Sequence, residues 1–314
     1  MSGANERERM NKQRNVSGLW VATLTPMKPD LSCDIARLAQ HCRFLFDHGC
    51  DGVAIFGTTG EGPSFSASER LKAMDALLKA GIPARRMMLG TGASALTDAV
   101  EMNRAATQAG LAGVLMLPSF YFKNQDGEGI RRSFAHAIER TSDQRLRLYL
   151  YNIPSVSAVG LDYATIDRLA RDFPGVVAGV KDSSADWSYT KPLLERFQHL
   201  DLLVGAEHHL ARAMAAGAAG TICALPNLAP GLIRALIDAP GEAAARPYHE
   251  PAEALVKLFD DYPFVPALRS LVAAKKGDQA WLTARPPFHA LSAEAASALG
   301  RKVAALAIEP VLPA

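Results

Sequence analysis

The sequence predicts an α/β protein, a (β/α)8 barrel with a helical region appended at its C-terminal end. Eight short apolar runs alternate with longer amphipathic segments between Gly18 and about residue 224. The runs are apolar at nearly every position, which is typical of parallel strands covered on both faces. Eight strand-helix units also match the number in a closed barrel, and 314 residues are enough to build one.

The predicted strands are three to six residues long. They cover residues 19–24, 52–56, 87–90, 113–117, 146–150, 176–180, 202–204 and 220–224. The segments between them have helical periodicity, and two of these segments begin at residues that favour N-caps. Asp34 begins the segment 34–47, and Ser66 or Ser68 begins the segment that ends at Lys79.

A doubly wound open sheet is the alternative fold. Such a sheet is expected to carry a GxGxxG turn after an early strand, and no such turn follows residues 19–24. The barrel is therefore preferred.

After Ala229 the alternation of strands and helices stops, and three helical patterns follow. These patterns lie at residues 242–260, 264–276 and 292–308. We predict a polar, disordered tail at residues 1–16, the barrel at 17–236 and a helical region at 237–314 that packs on the barrel. No linker separates that region as an independent domain.

The composition excludes several classes of protein. Lys and Arg number 34 against 32 Asp and Glu, a balance that disfavours a nucleic-acid binder. No apolar run reaches the roughly 18 residues that a membrane helix needs, and the charged N-terminus lacks the apolar region of a secretory signal. The four cysteines form no CxxC pair and are expected to be reduced. We expect a cytoplasmic enzyme with no membrane or nucleic-acid partner.

Lys181 is the most informative candidate for chemistry. Reactive residues of such barrels lie at the C-terminal ends of the strands, and Lys181 directly follows the apolar run 176–180. Burial disfavours an ammonium ion, so a lysine that begins inside an apolar wall can act as an amine nucleophile toward a carbonyl. The alternative is a lysine that extends to solvent or pairs with Asp182.

The loop of residues 57–62 presents backbone N–H groups and two hydroxyls in a tight turn that can hold a carboxylate. No Lys-Ser/Thr pair follows its last glycine, so the loop is not a nucleotide-binding P-loop. Tyr151 and Tyr121 lie near strand ends and are suited to proton transfer through a threonine hydroxyl. Buried tyrosines that anchor a core are the alternative interpretation.

A metal site is not predicted. Glu207, His208 and His209 are adjacent in the chain, but neighbouring side chains at a helix start point in different directions and rarely bind one ion. The sequence contains no HExxH motif and no cysteine cluster.

Three motifs together resemble the dihydrodipicolinate synthase/N-acetylneuraminate lyase family. They are Gly57-Thr58-Thr59-Gly60-Glu61, Tyr151-Asn152-Ile153-Pro154 and Lys181-Asp182-Ser183, at the ends of strands two, five and six. The similarity runs from Gly18 to at least Asn227. This resemblance implies a class I, pyruvate-dependent aldolase or lyase that needs no metal or organic cofactor, because a lysine imine is its electron sink.

The resemblance also implies roles for individual residues. Lys181 would form the imine with pyruvate or another 2-oxo acid, and Tyr151 would be the general acid and base beside it. Thr58 and Thr59 would hold the carboxylate. Thr58 would also link Tyr151 to Tyr121, which in this family reaches into the neighbouring subunit, so a dimer or a dimer of dimers is expected.

Other positions bear on the substrate. Gly205 and Ile222 match residues that line the pocket near the lysine. Synthases that condense pyruvate with aspartate semialdehyde usually carry an arginine where this chain has Val156, so that reaction is disfavoured. Sialic acid lyases use an acidic pair and a serine; here Glu207 is followed by His208, and Ala224 replaces the serine.

We therefore predict that Glu207 and Val156 bind the distal part of a 2-oxo-3-deoxy sugar acid or a less polar aldehyde. The polar positions of the lysine-feedback pocket are also poorly matched, so lysine regulation is not expected.

Two hypotheses of other classes remain. A barrel that binds a 2-oxo acid without converting it should have lost Lys181, Tyr151 or Thr58, and all three are present. A phosphate-handling barrel enzyme should have glycine-rich loops after strands seven and eight, where this chain has few glycines.

Overall fold

The computed structural model describes residues 15–306 and confirms the predicted (β/α)8 barrel. Eight parallel strands pair in chain order, and the last pairs with the first to close the sheet. The strands are β1 (Gly18–Ala22), β2 (Gly52–Ile55), β3 (Met87–Gly90), β4 (Gly113–Met116), β5 (Leu148–Asn152), β6 (Val177–Asp182), β7 (Asp201–Val204) and β8 (Gly220–Cys223).

Two strands extend further than their apolar runs. β5 continues to Asn152 and β6 to Asp182, so Tyr151 and Lys181 lie within strands and not after them. The apolar pattern ends earlier because the last residues of both strands are polar. Parallel pairing nevertheless continues, with Lys181 opposite both Tyr151 and Leu203.

Helices surround the barrel and connect its strands. They are α1 (Ile35–Asp47), α2 (Ala67–Lys79), α3 (Leu96–Gln108), α4 (Gly127–Thr141), the short α5 (Pro154–Ser157), α6 (Tyr163–Asp172), α7 (Trp187–Arg196), α8 (Leu210–Ala215) and α9 (Pro230–Asp238). The N-cap prediction holds for Asp34, whose side chain accepts the N–H of Arg37. Of the two serines considered, Ser66 is the N-cap of α2 and forms a capping box with Glu69.

Three further helices follow the barrel. They are α10 (Glu242–Leu258), α11 (Phe264–Lys276) and α12 (Ala293–Ala305). They match the three predicted patterns to within a few residues, although the end of the pattern 292–308 lies outside the described residues. Among the described helices, none combines the length and apolarity that a membrane span requires.

Side chains alternate between the inside and the outside of the barrel wall. The inner cluster contains Trp20, Tyr149 and Ile222, whereas neighbours such as Leu150 and Val180 pack outward against the helices. Because Tyr149 points inward, Tyr151 two residues later also points inward, toward the C-terminal end of the barrel. The same alternation from outward-facing Val180 turns Lys181 inward.

The N-terminal end of the barrel is closed by a buried polar group. Asp201 accepts the hydroxyl of Tyr149 at 2.8 Å and the backbone N–H groups of Asn15 and Val16 at 3.1 and 3.0 Å. Val16 is buried in consequence. The rest of the predicted tail of residues 1–16 lies outside the described residues.

Gly179 provides a test of the close packing inside the barrel. A Cβ there would lie 2.2 Å from the carbonyl oxygen of Asp201 and 2.7 Å from the ring of Tyr149. Gly179→Ala should therefore lower the free energy of unfolding by about 1–3 kcal/mol, measured by urea denaturation. Gly300→Ala is the control, since nothing lies near its Cβ position, and it should stabilise helix α12 by about 0.5–1 kcal/mol. An unchanged midpoint for Gly179→Ala would contradict this packing.

Candidate active site

Lys181 and Tyr151 lie side by side on the inner face of the barrel. They are register partners on β6 and β5, and each is only 3% exposed. The Nζ atom of Lys181 is 4.2 Å from the centroid of the Tyr151 ring. The amine is therefore enclosed against an aromatic face and does not extend to solvent.

Asp182 does not neutralise Lys181, because its carboxylate is held by other groups. Asn152 donates its side-chain N–H to Oδ1 at 3.0 Å, and the hydroxyls of Thr190 and Ser184 donate to Oδ2 at 2.6 and 3.1 Å. The backbone N–H of Ser184 adds a fourth bond. Neither alternative for Lys181, a solvent-exposed lysine or an Asp182 pair, describes the structure.

Thr58 connects the loop after β2 to the lysine-tyrosine pair. Its Oγ1 atom lies 3.1 Å from the hydroxyl of Tyr151. Thr58 is half-buried and Thr59 is buried. The structure thus brings together Lys181, Tyr151 and Thr58, which are far apart in the chain.

The loop after β2 is tightly wound. Phe56 and Glu61 both have φ near 55°, a left-handed conformation that is uncommon for residues with side chains. Two glycines approach the carbonyl of Phe56 closely, since a Cβ on Gly62 or Gly90 would lie 2.0 or 2.1 Å from its oxygen. The backbone that carries Thr58 is therefore confined from two sides.

A buried ion pair anchors this loop to the C-terminal helices. Arg269 of α11 donates its Nε–H to Oε1 of Glu61 at 2.8 Å, and both side chains are almost completely buried. The guanidinium also donates to the carbonyls of Thr25 and Trp281 at 2.7 and 3.1 Å. Burial lowers the pKa of Arg269, while the charge of Glu61 opposes that shift.

Glu207 joins the loops that follow β7 and β8. Its Oε1 atom accepts the backbone N–H groups of Ala224 and Leu225 at 3.0 and 3.1 Å. Burial raises the pKa of this carboxyl, while its backbone hydrogen bonds and, less strongly, the charge of Lys181 oppose the shift. Glu207 therefore lies within the influence of Lys181 while one of its oxygens is engaged by backbone.

Gly205 and Ile222 occupy the adjoining wall. Gly205 donates its N–H to the carbonyl of Asp182 at 2.7 Å, and a Cβ there would lie 2.1 Å from the hydroxyl of Ser183. Ile222 belongs to the inner barrel cluster and is completely buried. Gly205 follows β7, which pairs with the Lys181 strand β6, and Ile222 lies on β8, the next strand along.

Two predicted residues lie apart from this group. Tyr121 is 71% exposed, and its ring centroid lies 5.2 Å from that of Phe122, itself 67% exposed. Val156, on the short helix α5, is 63% exposed. Within residues 15–306, no cluster of three or more His, Cys, Asp or Glu side chains is arranged to hold a metal ion.

Sequence reasoning missed Arg269 and Thr190. Neither residue belongs to a recognisable local motif. Arg269 binds Glu61, which is distant in the chain, and Thr190 binds Asp182, which only the fold buries. Asn152 belongs to the tyrosine motif, and only the fold shows that its side chain holds Asp182.

The Glu61–Arg269 pair generates a prediction about stability. Arg269→Met leaves Glu61 buried without its cationic partner and should cost about 3–5 kcal/mol in the free energy of unfolding. The double change Glu61→Gln/Arg269→Met should recover part of that loss, because no buried charge remains. Arg171→Met, which breaks an exposed pair with Asp167, is the control and should cost about 1 kcal/mol or less. Equal losses for Arg171→Met and Arg269→Met in chemical denaturation would contradict the anchoring role.

Comparison with known proteins identifies the family. The model of the dihydrodipicolinate synthetase family matches residues 15–306. An uncharacterized DapA-like lyase of Chloroflexus aurantiacus is 39% identical over 223 residues, which cover 71% of this chain and 74% of that protein. A 4-hydroxy-tetrahydrodipicolinate synthase of Chlorobium limicola is 32% identical over 227 residues, covering 72% and 75%.

A solved structure agrees with these matches. The crystal structure of dihydrodipicolinate synthase from Agrobacterium tumefaciens superposes with a TM-score of 0.86 at 34% identity, covering 93% of this chain and 99% of that one. The predicted resemblance is confirmed: the chain belongs to the dihydrodipicolinate synthetase family and is a lyase of the class I aldolase type.

Proposed function

We propose that Lys181 is the imine-forming residue of this lyase and that the substrate is pyruvate or another 2-oxo acid. The observation that supports this assignment is the enclosed Lys181 amine against the Tyr151 ring, with no carboxylate paired to it in the described part of the chain. An amine held at this position inside the barrel can attack a carbonyl carbon that enters the mouth.

The chemistry follows from that amine. Lys181 attacks the C2 carbonyl, a C–N bond forms, and the carbonyl oxygen leaves as water. The resulting iminium accepts the electron pair of a C3–H or C3–C4 bond, which gives an enamine. Aldol cleavage, aldol condensation and dehydration of a 4-hydroxy acid all proceed through this enamine, so the same residues serve each of them. No metal or organic cofactor enters any of these steps.

Tyr151 is the proposed general acid and base. Its hydroxyl is 3.1 Å from Thr58 Oγ1 and its ring contacts the Lys181 amine, so it can move a proton at the carbon centres beside the imine. We assign Thr58 and Thr59, with the backbone of their loop, to the substrate carboxylate. We assign Gly205 and Ile222, at β7 and β8, to the wall of the substrate pocket beside Lys181.

We propose that Tyr121 completes the proton relay across a subunit interface. The large exposure of Tyr121 and Phe122 supports this, because two adjacent exposed aromatic side chains are typical of a surface covered by a partner. The proposed assembly is a dimer or a dimer of dimers of this chain, located in the cytoplasm.

The substrate beyond the 2-oxo acid group is proposed from the residues around the mouth. Val156 offers neither charge nor a hydrogen-bond donor, and one oxygen of Glu207 is already bonded to backbone. These features favour a less polar aldehyde or a 2-oxo-3-deoxy sugar acid. The names of the curated relatives favour the alternative, condensation of pyruvate with aspartate semialdehyde, whereas Val156 disfavours it.

Borohydride trapping with pyruvate tests the imine. After borohydride reduces the imine, Lys181 should carry one reduced pyruvate adduct, a 1-carboxyethyl group, which peptide mass spectrometry can locate. Lys181→Ala should remain folded and form no adduct. An adduct on a different lysine would refute the site. No adduct in a folded protein would favour the hypothesis of a non-catalytic binding barrel.

Tyr151→Phe tests the proton-transfer group separately from imine formation. The variant should slow turnover by about 10² to 10⁴ while Lys181 can still be trapped, because the substitution removes only the hydroxyl. Tyr121→Phe should reduce turnover with the dimer intact, as measured by sedimentation. Turnover of either variant at the wild-type rate would exclude that tyrosine from the relay.

Val156→Arg tests the substrate assignment. An arginine can bind a distal carboxylate through two parallel hydrogen bonds, so kcat/KM with aspartate semialdehyde should rise about tenfold or more. Val156→Met, which adds length without charge, is the control and should leave kcat/KM with aspartate semialdehyde unchanged. If wild-type protein already has the same kcat/KM with aspartate semialdehyde as Val156→Arg, the synthase reaction becomes the preferred function.

A further inference from the structure

A group of basic and aromatic side chains lies beside the loop that follows β7. We call it the Arg212 cluster, and it consists of Trp187, His208, His209, Arg212 and His249. His208 and His209 directly follow Glu207 in the same turn, and Arg212 lies in the first turn of α8. The cluster is thus at the end of the barrel that carries Lys181.

Arg212 is a guanidinium without a neutralising partner in the described chain. Its Cζ atom lies 4.2 Å from the centroid of the Trp187 ring, and its buried Nε atom has no hydrogen-bond partner among residues 15–306. Other enclosed arginines are satisfied: Glu61 accepts from Arg269, and Arg70 donates to the carbonyls of Phe65, of the last residue of β3 and of the loop after it. A cation held flat on an indole presents its terminal nitrogens in a fixed direction.

The neighbouring imidazoles repeat this pattern. The Nδ1 atoms of His209 and His249 are also buried and have no hydrogen-bond partner among the described residues. The whole of His209 is only 3% exposed, so solvent cannot readily supply that partner. The His209 ring lies 5.5 Å from that of Trp187 and 4.2 Å from that of His208. Three of the eight unpartnered buried polar atoms found within residues 15–306 therefore belong to this one cluster. Native proteins usually satisfy such atoms, so their concentration points to a missing ligand.

The charges around the cluster favour an anion as that ligand. Asp186, the N-cap of α7, accepts the N–H and hydroxyl of Ser188. Glu253 of α10 forms an ion pair with Lys257 at 3.1 Å and also lies 3.8 Å from Nε2 of His249. Asp260 is the remaining carboxylate whose field reaches the histidines. None of these carboxylates forms a salt bridge with Arg212 in the described chain.

Burial also limits the charge of the imidazoles. It lowers the pKa of His209 to about 4, with the fields of His208 and Arg212 acting in the same direction. Burial lowers the pKa of His208 as well. At neutral pH His209 is therefore uncharged, and the positive charge that the cluster offers to an anion comes from the Arg212 guanidinium.

We propose that the Arg212 cluster binds a small oxyanion, a phosphate or carboxylate group. The planar guanidinium matches two oxygens of such a group, and the stack on Trp187 holds it in place. The site follows strand seven at the C-terminal face, where barrel enzymes frequently bind phosphate. Glycine-poor loops had argued against phosphate binding there, but this site uses side chains and needs no glycine-rich backbone.

The oxyanion has two possible sources, a group carried by the substrate or a free anion. Glu207 connects the cluster with the substrate pocket, because it directly precedes His208 and holds the backbone after β8. Binding to the cluster does not require the proposed imine chemistry, so the two proposals can fail independently.

Calorimetric titration of the full chain with inorganic phosphate at pH 7 tests the site. Wild-type protein should bind one phosphate per chain, and Arg212→Ala should weaken binding about tenfold or more through loss of charge-assisted hydrogen bonds. Arg196→Ala is the matched control: Arg196 stacks on Tyr163 at 4.7 Å outside the cluster, and its loss should leave affinity unchanged. The absence of binding to wild-type protein, or equal affinity in Arg212→Ala, overturns the proposal.

Two further variants guard against an effect on folding. Arg212→Lys keeps the charge but not the planar fork and should bind phosphate more weakly than wild type. His249→Gln should also weaken binding, whereas thermal unfolding of all variants in phosphate-free buffer should stay near that of wild type. Wild-type affinity in both Arg212→Lys and His249→Gln overturns the cluster as the site.

Titration of pyruvate-trapped enzyme then identifies the source of the oxyanion. Unchanged phosphate affinity after trapping supports the cluster as a separate site for a free anion. Affinity lost on trapping supports a site for a group of the substrate itself. Acetate titrated in parallel distinguishes a carboxylate preference from a phosphate preference.

Discussion

Closure of the parallel sheet is the constraint on which the rest of this structure depends. Because β8 pairs with β1 and all strands run in one direction, every strand delivers its C-terminal end to the same mouth. Thr58, Tyr151 and Lys181 are widely separated in the chain, yet the register of β5 and β6 and the loop after β2 bring them into contact. The outward packing of alternate residues against the helices leaves the inner positions free for polar groups.

Three carboxylates near the mouth are each engaged by groups other than Lys181. Glu61 is paired with Arg269, Asp182 is bonded to side chains and backbone of neighbouring elements, and Glu207 accepts two backbone N–H groups. Each of these acids stabilises a loop, and none forms a salt bridge with Lys181 in the described chain. Because these carboxylates are engaged by other groups, the Lys181 amine stays available to a substrate carbonyl, which agrees with its proposed role as the nucleophile.

Family membership defines the chemistry, whereas the rim of the barrel determines what is bound. Val156 contributes no charge to the exposed surface of α5, whereas the Arg212 cluster places on the side of β7 a guanidinium that forms no salt bridge among residues 15–306. A distal anionic group would therefore meet different surroundings here than in a protein with an arginine in place of Val156. The two sides can be tested independently, since Val156 lies on α5 and Arg212 lies on α8.

Local sequence patterns were sufficient to predict the barrel, the order of its elements and the candidate residues Lys181, Tyr151 and Thr58. Apolar runs and short motifs are local patterns, and they are sufficient where a strand is buried on both faces or a loop needs particular residues. Tertiary structure alone decided that β6 includes Lys181, that Arg269 anchors the loop of Thr58, and that Glu207 holds the backbone after β8. The same holds for the Nε atom of Arg212, which finds no hydrogen-bond partner among residues 15–306. These features depend on which distant groups meet and on which hydrogen bonds they leave unused, and no local pattern records such pairings.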